Sequence, residues 1–249
     1  MRLQQILAKQ KNISNIGRLT SAIQTISMVK KQQSKQMHDK MISSLSILKK
    51  EIKKMHYESD SKNVFHMVFT VDKKLCKNFI YLASNYVAKL KYSKNDAFMF
   101  FGKYAINALK NIENERIDMN IISSIEDSSC AAEIAMKYLM SNHQIKIHFY
   151  SFKHSKFIEK SIFKSVPVAS KCSHDKEGII SICKLYMTYS IQMAAIETSM
   201  MENTSRATAM SQASDTCKNM QHQLKLDYNR LRQEKITLEM SEIIGGASA

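Results

Sequence analysis

Glycine and proline are scarce in this chain, with five Gly and one Pro among 249 residues. Because turns and strand ends depend on these two residue types, their scarcity favours long helices. The five glycines also have no spacing that fits G-x-G-x-x-G or G-x-x-x-x-G-K-[ST]. Enzymes that hold a nucleotide with a glycine-rich phosphate loop are therefore excluded.

Paired cysteines and long apolar runs are also missing. The cysteines are Cys76, Cys130, Cys172, Cys183 and Cys217. Their odd number and the absence of a C-x-x-C pair argue against a disulfide framework and favour a reducing compartment. No uninterrupted apolar run reaches the roughly 18–20 residues that span a bilayer, and the polar N-terminus does not resemble a secretory signal.

No metal site or cofactor is predicted. Four histidines and one cysteine are candidate zinc ligands: His143, His148, His154, Cys172 and His174. Their spacing fits no zinc-ligand pattern, so surface or partly buried histidines are the better interpretation. Cys76 has three lysines near it, which could lower a thiol pKa, but a buried structural cysteine is favoured.

Positive charge is present in large excess and is unevenly placed. The formal net charge is +15. Residues 1–54 hold twelve Lys/Arg against two acidic residues, whereas residues 202–249 hold six of each. A basic N-terminal segment indicates a polyanionic partner, which could be nucleic acid, an anionic membrane surface or an acidic protein.

Two long helices are predicted at the ends of the chain. Residues 2–57 carry apolar side chains at steps of three and four, interrupted by a polar stretch at 30–36. Residues 178–246 carry a seven-residue repeat, which imposes a left-handed supercoil with a partner helix. The repeat consists of Ile182, Tyr189, Ile196, Asn203, Met210, Cys217, Leu224, Leu231 and Leu238.

The middle of the chain has a different pattern. Aromatic and β-branched runs predict strands at 64–71, 97–101 and 145–152, with helices at about 77–91, 103–113 and 129–141. This alternation is typical of a largely parallel sheet. We therefore predict an antiparallel left-handed coiled coil of the two terminal helices with an inserted Rossmann-like α/β domain. The predicted division is 1–58, 62–170 and 176–249, with Ile16, Ile23, Ile182, Ile196, Met210, Leu224, Leu231 and Leu238 in the coiled-coil core.

Three segments resemble a known family, the gamma subunits of F-type ATP synthases. The run Tyr228–Ala247 (YNRLRQEKITLEMSEIIGGA) closely resembles the family's C-terminal signature, Y-N-[KR]-x-R-Q-x-x-I-T-x-E-[LM]-x-E-I-x-x-G-A. Glu202–Met210 (ENTSRATAM) is similar to E-x-x-[AS]-R-x-x-A-M, and Ile13–Thr20 (ISNIGRLT) is similar to I-x-N-[IT]-x-[KR]-[IL]-T. The family's S-D-R-G-L-C-G appears as Thr70–Lys77 (TVDKKLCK), with lysine at the arginine and at both glycines.

The resemblance implies a non-catalytic rotor shaft, present once per complex, whose partners are the alpha, beta and epsilon subunits and the c-ring. In this role, proton flow turns the c-ring, the shaft forces the beta subunits through their conformations, and the chemistry takes place on beta. The implied contacts with beta are Lys30, Lys73, Arg206, Arg232, Gln233 and Thr237. The implied location is the cytoplasmic face of a bacterial plasma membrane, with the mitochondrial matrix face as the alternative, and membrane association through the complex alone.

Two other classes of function remain to be weighed. A basic coiled-coil protein that binds nucleic acid is compatible with the charge, but no basic-region helix or known nucleic-acid-binding motif is present. A small α/β enzyme with helical arms is disfavoured, because no phosphate loop and no nucleophile–base pattern is present. We therefore expect no nucleic-acid partner and no catalytic residue.

Overall fold

The structure is a computed structural model that describes residues 2–53, 56–57, 63–93, 95–102, 117–118, 128–165, 167–168 and 176–247. A long helix stands at each end of the chain, with strands and two short helices between them. In chain order the elements are α1 (Arg2–Lys53), β1 (His56–Tyr57), β2 (Asn63–Phe69), α2 (Lys77–Ala88), β3 (Ala97–Phe101), β4 (Ile117–Asp118), α3 (Ser128–Met140), β5 (His143–Ser151), β6 (Lys156–Phe163), β7 (Pro167–Val168) and α4 (Lys176–Ala247).

The two long helices match their predicted positions closely. α1 contains 52 residues and α4 contains 72. The prediction that α1 continues through residue 57 is wrong, because His56–Tyr57 forms the short strand β1. β1 pairs antiparallel with β7, with Tyr57 opposite Pro167. Proline is tolerated at such an edge because its missing N–H is not needed for a ladder.

The strands between the two long helices in the sequence include a five-stranded sheet, in the order β4-β3-β2-β5-β6. β2 is parallel to β3 and to β5, and β3 is parallel to β4, whereas β6 is antiparallel to β5. The three predicted strands are present, but the sequence did not predict β6. The helix predicted at 103–113 lies outside the described residues.

Helices cover both faces of this sheet. On one face, Phe65, Met67 and Phe69 of β2 belong to a core that includes side chains from α3 and from the first part of α4. On the other face, Val68 packs in a cluster with Val87 of α2. Strands buried on both faces have near-continuous apolar sequences, which explains runs such as AFMFF in β3.

By its internal contacts the chain divides into two compact units. One unit comprises Met1–Ser27 with Arg206–Ala249, and the other comprises Met28–Ser205. Within the first unit, a Cβ added at Gly17 would lie 3.5 Å from the Cβ of Cys217, so the two helices approach each other closely there. Small side chains such as Thr20 and Ser27 of α1 are buried in this unit.

In the second unit, α1 and α4 run antiparallel. The Nε2 atom of His38, in α1, lies 3.7 Å from a carboxylate oxygen of Glu197, in α4. Further along α1, Ile52 shares a core with Cys183, which lies earlier in α4. One 18-residue window of α4 is apolar enough to cross a membrane by length and composition alone, and 44% of that window is buried inside the protein.

Candidate functional site

The carboxyl ends of the parallel strands β2 and β3 lie at the sheet edge where doubly wound folds hold ligands, beside the switch point between β2 and β5. Here these ends are tied to each other. Thr70 donates its hydroxyl to the carbonyl oxygen of Phe101 at 2.7 Å. Gly102 has φ +103°, and a Cβ on it would lie 2.8 Å from the carbonyl oxygen of Val71. Only glycine fits this approach, so the loop after β3 is held close to the loop after β2.

The loop after β2 presents two lysines to solvent. Lys73 and Lys74 are exposed, whereas Cys76 is fully buried and its thiol donates to the carbonyl oxygen of Lys73 at 2.9 Å. The left-handed residue of the turn is Leu75, at φ +69°. The turn therefore does not require glycine at position 74, where the resembling family has one. Burial also identifies Cys76 as a structural cysteine.

Four polar groups form a network in which two histidines and one aspartate are buried and the fourth member, a tyrosine of α2, is half-buried. His66 Nδ1 lies 2.8 Å from His148 Nε2, and the Tyr86 hydroxyl lies 2.9 Å from His148 Nδ1. At the other end, His66 Nε2 lies 3.5 Å from Asp96 Oδ2. One arrangement satisfies every contact with both imidazoles neutral: Tyr86 donates to His148, His148 donates to His66, and the remaining His66 N–H faces Asp96.

The surroundings of this network keep its two histidines uncharged. Burial lowers the pKa of His148 to about 3, helped by the nearness of His66, which would repel a second imidazolium, and by the charge of Lys146. Burial also lowers the pKa of His66, against the opposing effect of the Asp96 carboxylate. The pKa of Tyr86 is raised to about 12, mainly by burial. Because the two histidines and Asp96 are shielded from solvent, we interpret this hydrogen-bonded network as structural and not as an acid–base site.

The other histidines considered for metal binding are dispersed. His143 is buried at the start of β5 with Nδ1 3.1 Å from the carbonyl oxygen of Ser141, and His154 is exposed in a turn. Cys172 and His174 lie outside the described residues. Within the described ranges, no group of three or more His, Cys, Asp or Glu side chains could hold a metal ion.

The end of α4 is an extended exposed segment. Every side chain from 232 to 247 is exposed although the segment is helical. Arg232, Gln233 and Thr237 lie here, and the Thr237 hydroxyl donates to the Gln233 carbonyl oxygen at 3.0 Å. Large apolar side chains are exposed in the same segment: Ile236, Leu238, Met240, Ile243 and Ile244. Clustered exposure of this kind marks an interaction surface.

The remaining predicted contact residues lie in different environments. Lys30 and Lys73 are exposed, on α1 and on the loop after β2. Arg206 is 8% exposed and therefore buried within the chain itself. Contact of these residues with a partner stays a prediction. Lys30 and Lys73 belong to one compact unit, and the other four predicted contact residues belong to the other.

The predicted coiled-coil positions range from buried to exposed. Ile196 and Met210 are buried, and Ile23, Ile182, Leu224 and Leu231 are partly buried. Ile16 and Leu238 are exposed. The sequence interpretation missed the small residues that α1 buries, Thr20 and Ser27. Their helical spacing from Gly17 was the available signal.

Together, these features define a class of protein: a pair of long helices with an α/β domain between them, an exposed helical tip, and no catalytic group identified in the described residues. The comparisons with known proteins agree with this class. A family model described as ATP synthase matches residues 2–249. The ATP synthase gamma chain of Wolbachia pipientis is 26% identical over 99% of both chains, and that of Mycoplasma mycoides is 26% identical over 96% of this chain and 95% of the relative.

Solved structures share the fold. A chain of the Euglena gracilis mitochondrial ATP synthase, in an assembly described as OSCP/F1/c-ring, aligns over 100% of this chain and 94% of its own length, with a TM-score of 0.68 and 13% identity. A chain of the Tetrahymena thermophila central stalk and c-ring aligns over 79% of this chain and 99% of its own length, with a TM-score of 0.58 and 15% identity. The chain belongs to the ATP synthase gamma-chain family. Its role is that of a non-catalytic stalk subunit, because catalysis in this enzyme lies on beta.

Proposed function

We propose that this chain is the rotor shaft of an F-type ATP synthase, linking c-ring rotation to conformational change in the beta subunits. The observation that carries the proposal is the end of α4, which stays helical while exposed on all sides from 232 to 247. A helix without packing partners is only marginally stable in water, so we expect a surrounding partner to stabilise this segment. It also holds the family's terminal signature.

The chemistry of this tip suits rotation inside a housing. Its ion pairs form within the helix, as between Arg230 and Glu234 at 3.1 Å and between Lys235 and Glu239 at 3.2 Å. Exposed pairs of this kind contribute only about 0–1 kcal/mol each. Contacts with them can orient the shaft without fixing it in one position.

The contacts with beta are proposed in two groups. Arg232, Gln233 and Thr237 lie on the exposed tip and carry the main proposal. Lys30 and Lys73 are exposed elsewhere on the chain, where acidic loops of beta would complement them, and buried Arg206 would act after a local rearrangement. In functional terms, we divide the chain into shaft segments at 1–58 and 176–249 and an α/β domain at 62–170.

The partners follow from the assemblies in which similar folds occur. By this likeness we propose alpha, beta and epsilon subunits and a c-ring as partners, with one copy of this chain per complex. The complex is peripheral to a membrane. The bacterial relatives support the cytoplasmic face of the plasma membrane as its position, with the mitochondrial matrix face as the alternative.

Co-purification tests the proposal directly. The full chain is co-expressed with alpha and beta subunits, beside a variant truncated after Leu231. We expect the full chain to co-purify in a complex that hydrolyses ATP, and the truncated chain to be recovered in lower yield because it lacks the tip.

The same preparation tests the competing functions. The full chain alone should show no ATP hydrolysis, and any retention on DNA cellulose should be displaced by salt in the same way as for other basic proteins. A chain that remains outside the head complex, or that binds DNA with sequence preference, would overturn the rotor proposal.

A further inference from the structure

We infer that Glu197 and Glu202 of α4 are positioning residues that clamp the α/β domain to the shaft, so that torque applied to one reaches the other. This inference rests on the proposed rotor function. It starts from two backbone N–H groups beyond the carboxyl ends of β2 and β5, which both donate to carboxylates of α4.

Glu202 holds the end of β2. The backbone N–H of Asp72 donates to Glu202 Oε2 at 3.2 Å. Glu202 is 6% exposed, so this charged acceptor operates with little competition from water. A charge-assisted bond from a backbone group is roughly twice as strong as a neutral one, and it fixes the position of the strand end more tightly than an exposed pair would.

Glu197 holds the end of β5 and reaches α1 as well. The backbone N–H of Phe152 donates to Glu197 Oε2 at 2.9 Å, while Glu197 Oε1 lies 3.7 Å from His38 Nε2. The Glu197 side chain is 12% exposed. The ammonium of Lys31, which belongs to α1, lies 5.6 Å from the centre of the Phe152 ring. One carboxylate therefore joins three elements: α4, α1 and the turn between β5 and β6.

The two bonds act together because their strands are neighbours. β2 and β5 are paired in parallel, so their carboxyl ends lie at the same edge of the sheet. The apolar core shared by the sheet and α4 is non-directional, so a single directional bond would leave the sheet less restrained from pivoting about α4. Two attachments at adjacent strand ends oppose that pivot, which is the movement by which torque would be lost.

A third contact between the α/β domain and α4 provides a matched control. Lys184 of α4 pairs with Glu133 of α3 at 2.8 Å, but their side chains are 47% and 58% exposed. This pair joins the same two parts through solvated charges. Exposed pairs contribute little, so removing Glu133 tests for general effects of losing a carboxylate.

The experiment compares Glu197→Ala, Glu202→Ala, the double alanine variant, the matching Gln variants and Glu133→Ala, each in the assembled complex. Two quantities are measured: amide hydrogen exchange of the peptides that contain Asp72 and Phe152, and the ratio of ATP-driven proton transport to ATP hydrolysis. For the alanine variants we expect exchange at those amides to accelerate about tenfold or more. The double variant should lose proton transport while it retains ATP hydrolysis. Gln, which keeps an acceptor oxygen, should restore most of the coupling.

The controls separate the possible failures. If the wild-type chain does not enter the complex, the rotor function itself is wrong. If the wild-type complex transports protons and the double alanine variant transports them equally well, only the clamp is wrong. Equal losses in Glu133→Ala and in the double variant would also overturn the clamp, because they would show a general effect of charge. An unfolded double variant is resolved by the single variants, whose exchange at one strand end either rises as expected or contradicts the inference.

Discussion

Replacing His148 with Gln should make the stability of this chain less sensitive to acid. His148 is completely buried and stands between Tyr86 and His66, at 2.9 Å and 2.8 Å. Protonation would place a second N–H on His148 at the nitrogen that accepts from Tyr86. It would also place a positive charge near the ammonium of Lys146. The Asp96 and Glu159 carboxylates favour a charge on the neighbouring His66 instead.

The size of the effect follows from the pKa difference. The pKa of His148 is about 3 in the folded chain and 6.5 when unperturbed. The unfolded chain therefore binds a proton below pH 6.5 that the folded chain refuses, so stability falls as the pH falls. The loss is about 1.4 kcal/mol per pH unit, or about 2 kcal/mol by roughly pH 5. The loss is complete as the pH reaches the folded-state value.

Urea unfolding of the purified chain near pH 7 and near pH 5 measures this loss. Gln cannot be protonated, yet its amide can accept from Tyr86 and donate to His66. We expect His148→Gln to lose about 2 kcal/mol less than the wild type between the two pH values. His154→Gln, at an exposed turn position, is the matched control and should behave as the wild type does. An equal loss in His148→Gln and the wild type would refute the reasoning.

Three further substitutions test the backbone of the fold and the shaft. Gly102→Ala should destabilise the chain by about 3 kcal/mol in chemical unfolding, because φ is +103° and the new Cβ meets the Val71 carbonyl oxygen; a neutral result would mean that the strand ends separate easily. Gly17→Ala should increase the free energy of unfolding by up to about 1 kcal/mol and so raise the melting temperature, since the added Cβ makes ordinary contact with Cys217. A lower melting temperature would indicate that the two helices lie too close for the added methyl group. Leu231→Pro should cost about 3 kcal/mol or more and abolish ATP-driven proton transport, and normal transport would show that the shaft does not need a continuous helix there.

The long helices and the central strands could be predicted from sequence because their patterns are sustained. A seven-residue repeat over α4 indicates a supercoiled helix, and the short length and aromatic or β-branched content of the runs in β2, β3 and β5 favour strands. β6 lacks such a pattern, since Lys156, Glu159 and Ser161 are exposed along it. Its turn also lacks the usual glycine or asparagine signal, because the left-handed residue there is Ser155, at φ +51°. A strand at a sheet edge with an unusual turn leaves little trace in a single sequence.

The packing face of α1 was harder to predict, because the largest apolar side chains do not identify it. Ile16, Leu19 and Ile26 form a helical stripe, yet all three are exposed. Thr20 and Ser27 are buried instead. Close approach of two helices favours small residues, as at Gly17 and Cys217, and a method based on hydrophobicity gives these positions little weight. The clamp residues Glu197 and Glu202 were missed for a similar reason, since only the fold brings them to the strand ends.

The contrast between the clamps and the tip of α4 reflects two requirements that a shaft must meet at once. Where α4 meets the α/β domain, buried Glu202 and half-buried Glu197 accept from backbone N–H groups, which are fixed partners. At the tip, the charges of Arg230 and Lys235 are matched by carboxylates one turn further along the same helix. Because these charges are already paired, a surrounding protein does not need to supply a partner for each of them in one orientation. The part of α4 beside the α/β domain is therefore held by specific bonds, whereas the proposed contacts of the tip with beta are left to exposed side chains such as Arg232, Gln233 and Thr237.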